Sequence, residues 1–231
     1  MKTKQRVKLI YVSPLWLVSN GIRYSHYNHH LSDSEFIGLD PWDWNKEIKI
    51  TKEEWVKQLT PTKVEIGSKD FDLVKRIGLK MKHESVLEFT QLVFDVKLST
   101  KALLEESRHR IAISKTVTSS RYALKKINIE MEPTDDEDID YDLDVIRRMI
   151  KRRLIQNKPL DKVSKMLPQA FIYYMQWQFN LRSLLHFLRL RLTKEAHRDI
   201  RLIAKMVVDE LPEEYRELVL LDEHIRRNYE E

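Results

Sequence analysis

The sequence predicts an α+β fold, on three observations. Strand-like and helix-like segments alternate up to about residue 130. Only helical periodicity follows, so the C-terminal half reads as all-helical beside a mixed sheet packed with helices. No Pro/Gly/Ser-rich linker divides the 231 residues, so 1–231 reads as one domain.

Residues 6–12, RVKLIYV, are rich in β-branched and aromatic types and read as a strand. Residues 14–24 open a helix with Pro14 in its first turn. Residues 26–66 carry Trp42, Trp44 and Trp55 without a clear period, which predicts loops and a short helix. Over 69–82, Phe71, Val74, Ile77 and Met81 fall at helical spacing. A strand is expected over 86–98, where Leu92, Phe94, Val96 and Leu98 alternate with Val93, Asp95 and Lys97. The helix expected over 99–113 has Ser99 or Thr100 as N-cap and Leu103, Leu104 and Ile111 on its apolar side. Residues 121–130 read as a further strand. An acidic loop then leads into a helix over 142–157, with Leu143, Ile146, Ile150 and Leu154 on one face. Helices over 161–178, 181–190, 194–211 and 213–227 complete the chain, and Pro212 separates the last two.

Composition excludes several kinds of chemistry. Cysteine is absent, which removes disulfides, thiolate metal sites and a cysteine nucleophile. Four glycines, at 21, 38, 67 and 78, exclude a GxGxxG or P-loop, so a bound nucleotide must be held by side chains. No apolar window is long enough to span a bilayer. The basic-to-apolar start MKTKQRVKLIYV is short and lacks a cleavage site, so a cytoplasmic protein with no membrane partner is expected. Lys+Arg less Asp+Glu, 41 − 36, gives +5. Eight acids between Glu132 and Asp144 precede Arg147, Arg148, Lys151, Arg152 and Arg153. That pattern reads as a solvated loop and a helix start. A nucleic-acid patch is the alternative, but the adjacent acids would repel phosphates.

Arg108-His109-Arg110 is the densest cationic triplet near apolar sequence. On a helix the three side chains point about 100° apart, so at least one turns inward or toward an interface. An anion site and an ordinary basic helix end both fit. Ser119-Ser120-Arg121 offers two hydroxyls and a guanidinium, suited to a phosphate monoester or to a turn before a strand. His83 stands at a helix-to-strand junction, a common place for a structural histidine. His26, His29 and His30 lack the companion ligands of a metal site, and no metal is expected. The aromatic run Phe171, Tyr173, Tyr174, Trp177 and Phe179 reads as core. After it, Arg182, His186 and Arg189 share a helix face and Arg191 is rotated away. Periodicity alone therefore nominates Arg189 over Arg191.

The order of these blocks says more than any one of them. HESVLEF, SRHRIAI, SSRY and, after a proline, NLRSLLHFLRLR resemble the flavin-dependent thymidylate synthases, the ThyX family, over roughly residues 83–210. The family's signature is RHR, seven residues, then Ser. Here Arg108-His109-Arg110 is followed by residues 111–117, Thr118 and then Ser119, a spacing one residue longer. The EESRHR…SSRY form is similar to that of ε-proteobacterial members.

The resemblance implies synthesis of dTMP from dUMP. It implies FAD as cofactor, NADPH as reductant, methylenetetrahydrofolate as carbon donor and a homotetramer with shared active sites. It assigns His83, Ser85, Arg108, His109, Arg110, Asn180, Arg182 and His186 to FAD. It assigns Glu105, Arg108, Ser119, Ser120, Arg121 and Arg191 to dUMP. Arg191 matches the family's catalytic arginine, credited with ionising the pyrimidine at N3. The sequence departs from the family at three positions. Val117 falls near a common glutamate, His186 stands where many members have Asn, and a basic dUMP contact falls at Ser164, with Lys165 adjacent. Without a cysteine nucleophile the uracil must be activated by cations placed where negative charge develops. The other readings are a degenerate FAD-binding member without methyl transfer and a basic nucleic-acid-binding protein.

Overall fold

The period-2 run begins later than its first apolar residues suggest. Leu92, Phe94, Val96 and Leu98 are all buried along strand β2, Leu92–Ser99. Residues 86–89, expected to open that strand, belong instead to a 3-10 helix, Glu84–Phe89. The computed structural model describes residues 2–25, 31–34 and 66–231. The segment over 26–66, including His26, His29, His30, Trp42, Trp44 and Trp55, lies almost wholly outside the described residues.

A four-stranded antiparallel sheet runs in the order β1-β2-β4-β3, with β1 at Arg6–Val12, β3 at Ile113–Val117 and β4 at Ile172–Phe179. Ile113 pairs with Phe179 and Val117 with Met175. β4 overturns the expectation of helix over 161–178 and of an all-helical second half. Its aromatic and apolar side chains satisfy a helical count, but burial alternates at Met175, Trp177 and Phe179, as a pleated strand requires. The strand expected over 121–130 lies upstream as β3. Residues 120–123 instead form a single helical turn, α4, Ser120–Ala123.

Helix α3, Thr100–Glu106, is capped as expected: Ser99 Oγ accepts from Ala102 N at 3.0 Å. The same hydroxyl donates to buried Asp199 at 2.5 Å, tying the end of β2 to helix α8, Arg198–Asp209. α8 buries Ile200, Ile203, Ala204, Val207 and Val208 along one stripe. Helix α7, Leu181–Arg191, packs Phe187 edge-on to Trp177 with ring centroids 4.9 Å apart. Helix α5, Glu137–Ile155, starts inside the acidic run, because Asp136 caps it by accepting from Asp138 N and Ile139 N at 3.1 Å. Asp144 pairs with Arg147 and Arg148, so part of the basic run is neutralised within the helix. Helix α6, Leu160–Val163, packs against α4. Helices α9, Glu213–Leu220, and α10, Glu223–Glu230, follow Pro212 and end the chain.

The chain divides into two compact units. The larger comprises Met1–Ile10, Val93–Phe179 and Ser183–Glu231, and holds most of the sheet and of the helices just described. The smaller comprises Tyr11–Leu92 and Asn180–Arg182. It holds helix α1, Trp16–Ser25, and helix α2, Ser68–Val74, which widens into a π-helical turn at Lys75–Lys80. A buried ion pair, Arg23 Nε to Asp70 at 2.7 Å, joins α1 to α2, and Ser32 and Ser34 hydroxyls satisfy the other carboxylate oxygen. At Gly78, in the widened turn, a Cβ would lie 2.8 Å from Leu87 Cδ2, so a larger residue there would displace that leucine's methyl. Among the described residues no helix is long and apolar enough to cross a membrane.

Candidate active site

Helix α3 stops at Glu106, so Arg108-His109-Arg110 lies in the loop before β3 and not on a helix as its spacing suggested. Two devices shape that loop. Ala112 takes φ 54°, and its carbonyl accepts from Ser183 Oγ at 3.2 Å. Glu106 and Lys115 form an ion pair of 2.6 Å across the loop's base. The triplet splits all the same: Arg108 and Arg110 are exposed, and His109 turns inward. His109 N donates to Glu106 O at 2.8 Å, and its ring meets Phe187 edge-on at 5.2 Å.

Arg191 arrives at the same place from the last turn of α7. Its Nε donates to His109 Nε2 at 2.9 Å, Nη1 to Glu105 Oε2 at 3.2 Å and Nη2 to Glu105 O at 2.9 Å. The Glu105 carboxylate also pairs with Arg108 at 3.1 Å and Lys101 at 3.5 Å. Burial raises the Glu105 carboxyl, but Arg108, Arg191 and Lys101 more than offset it and hold its pKa below the usual range. His109 is driven down to about 4 by burial first, then by Arg191, His186 and Lys115. Burial pushes the Glu106 carboxyl up against the pull of Lys115, Trp177 and Arg191. Glu106 Oε1 and Trp177 Nε1 are close enough to interact but do not meet hydrogen-bond geometry, and both are buried without a partner among the described residues.

Arg189, the arginine that periodicity nominated, is engaged elsewhere. It donates to Asp222 at 2.7 Å, and Asp222 in turn caps α10 through Ile225 N. Two residues apart on α7, Arg189 and Arg191 point to different sides of the helix and meet different partners.

A second group of nominated residues lies at the other end of β3. Thr118 N and Oγ1 both donate to Tyr174 O, at 2.9 and 3.0 Å, anchoring the turn into α4. Ser119 and Arg121 are exposed and Ser120 is half-buried. Lys165 is exposed in the 3-10 turn Ser164–Met166 that follows α6, the helix packed on α4. The five residues of β3 separate this group from the Arg108–His109 loop by about 17 Å of extended chain.

In the smaller unit, exposed Arg182 pairs with Glu88 at 2.5 Å and lies 3.9 Å from Glu84. His83 and Ser85 are exposed and Asn180 is buried. His186, on α7 in the larger unit, is exposed with its ring 5.8 Å from that of His109. Among the described residues no cluster of His, Asp and Glu could hold a metal ion.

Sequence reasoning did not single out Lys101, Glu106, Lys115 or Phe187. The i, i+4 spacing of Lys101 and Glu105 was available as a signal. Lys115 becomes a partner of Glu106 only once the loop closes.

Comparisons with known proteins identify the family. Residues 40–215 match the family model described as thymidylate synthase complementing protein. A flavin-dependent thymidylate synthase of Wolinella succinogenes is 33% identical over 172 residues, 68% of this chain and 84% of that protein. One from Helicobacter pylori is also 33% identical, over 174 residues, 66% of this chain and 82% of its own length. The fold matches a crystal structure of Helicobacter pylori thymidylate synthase X with FAD and dUMP. The TM-score is 0.75 at 24% identity, covering 96% of this chain and 99% of that one. With most of its length matched by the family model and relatives a third identical, the chain belongs to the thymidylate synthase complementing protein family, the family of the flavin-dependent thymidylate synthases.

Proposed function

We propose that the protein is a flavin-dependent thymidylate synthase, converting dUMP to dTMP with methylenetetrahydrofolate as carbon donor and NADPH as reductant. The observation that carries this reading is the half-hidden guanidinium of Arg191, held by His109 and Glu105 beside the RHR loop. Three of its five N–H groups are used, leaving one on each terminal nitrogen without a partner among the described residues. Such donors suit the polar atoms of a pyrimidine, and they would stabilise negative charge as N3 loses its proton. Glu105 is shared by Lys101, Arg108 and Arg191, so the cluster stays net positive.

Ser119, Ser120, Arg121 and Lys165 would hold the nucleotide phosphate through charge-assisted bonds. They lie at the far end of β3 from the Arg108–His109 loop that Arg191 joins. That separation supports sites completed by a second copy, as in a homotetramer. FAD is assigned to Arg108, His109, Arg110 and His186, and to His83, Ser85, Asn180 and Arg182. The donor set fits: exposed guanidiniums suit a diphosphate, and the amide of Asn180 and the imidazoles suit a flavin ring. When bound, FAD supplies the one-carbon and hydride chemistry. The absence of cysteine is consistent with electrostatic activation of the pyrimidine.

The test is a spectrum and an assay. The purified protein should be yellow with non-covalent FAD and release tritium from C5-labelled dUMP. A protein that takes up no flavin, or binds it without dUMP-dependent release, would contradict the reading.

A further inference from the structure

We propose that His109 is a positioning residue: its imidazole is the neutral acceptor that orients the Arg191 guanidinium toward the substrate. This rests on the reading above, in which Arg191 faces the pyrimidine, and adds a second task to the flavin contact assigned to His109.

The geometry fixes the protonation. Arg191 Nε is always a donor, so the His109 Nε2 it meets at 2.9 Å must present a lone pair. In the neutral ring the single proton then sits on Nδ1. The charged and titratable groups facing the ring are Arg191 and His186 from α7, Lys115 from β3, and Glu105 and Glu106 from the end of α3. Burial first, then Arg191, His186 and Lys115, bring its pKa to about 4, which keeps it neutral across physiological pH. The ring cannot easily turn away. Its backbone N–H is fixed to Glu106 O at 2.8 Å, and Phe187 packs edge-on against it at 5.2 Å.

A neutral acceptor does something a carboxylate would not. Glu105 orients Arg191 but also offsets its charge. A second carboxylate at position 109 would leave the guanidinium largely compensated and a poorer partner for developing negative charge. A cationic histidine would repel Arg191 and could not accept from it. Neutral imidazole fixes the fork and leaves the charge for the substrate.

Two variants and one spectrum test this. His109→Phe keeps a ring against Phe187 but removes the acceptor. His109→Gln keeps an oxygen acceptor near the Nε2 position. With saturating FAD, His109→Phe should lose dTMP turnover by roughly ten- to a hundredfold, the effect of one lost bond to a charged group. Its KM for dUMP should change far less. His109→Gln should recover most of the turnover. Near-normal turnover in His109→Phe would overturn the proposal. So would a His109→Gln as impaired as His109→Phe. Should His109→Phe fail to fold, the ¹⁵N-histidine spectrum of the wild-type chain decides. An Nδ1-protonated, neutral His109 at about pH 6 supports the proposal, and a cationic one overturns it. A wild-type chain that makes no dTMP would instead sink the functional reading, whatever the histidine spectrum shows.

Discussion

Arg189 and Arg191 are one helical half-turn apart and have different surroundings. Arg189 is held by Asp222, which also caps α10. Arg191 is held by Glu105 and His109. Removing Arg189 should therefore cost stability, about 1–2 kcal/mol for a partly exposed charged bond, with turnover of the folded protein little changed. Removing Arg191 should lower kcat for dTMP by on the order of 10²–10³-fold, the range for one lost donor to a developing anion. Flavin reduction by NADPH should survive, because it does not need the uracil-activating cation. Denaturant unfolding and a side-by-side dTMP assay of Arg189→Ala and Arg191→Ala check both halves. Spacing alone nominated Arg189, which pairs with Asp222, because periodicity reports a helix face and not what that face meets. The order of the sequence blocks, set beside the family's, pointed to the arginine that the structure puts in the cationic cluster.

The elements were legible where the information is local. β1, α1, α2 and α8 follow their patterns, and Ser99 caps α3 as its position predicts. Most of the other misreadings involve one long-range pairing. β3 and β4 form an antiparallel pair whose members lie about sixty residues apart, and neither reads as a strand by itself. That pairing ends α3 at Glu106, lifts the RHR triplet off the helix and brings Lys115 to Glu106. The Glu106–Lys115 pair should then matter to the element it closes. Lys115→Met leaves a fully buried carboxylate unpaired, at a cost of about 3 kcal/mol, since the lysine itself is partly exposed. The pH dependence has a definite sign. Burial raises the Glu106 pKa in the folded state, so its favourable contribution is present below its unfolded pKa and lost as pH rises through the folded one. Losing Lys115 raises that pKa further. The stability gap between wild type and Lys115→Met should therefore widen as pH rises and narrow under acid, as read by denaturant unfolding across that range.

At the scale of the whole molecule, the account turns on β3 as a spacer. Arg191, Glu105 and His109 sit at one end of it, and Ser119, Ser120 and Arg121 at the other. If both groups serve one dUMP, each site takes its pyrimidine-facing cation from one chain and its phosphate grip from another. The most direct test is complementation between two impaired chains. Arg191→Ala and Arg121→Ala are co-expressed in equal amounts, and dTMP formation is assayed at low dUMP. Random mixing should place an intact Arg191 and an intact Arg121 in about a quarter of the sites. Activity should rise toward about a quarter of wild type, although each variant alone is nearly inactive under those conditions. Mixed assemblies no more active than the separate variants, beside an active wild type, would contradict it.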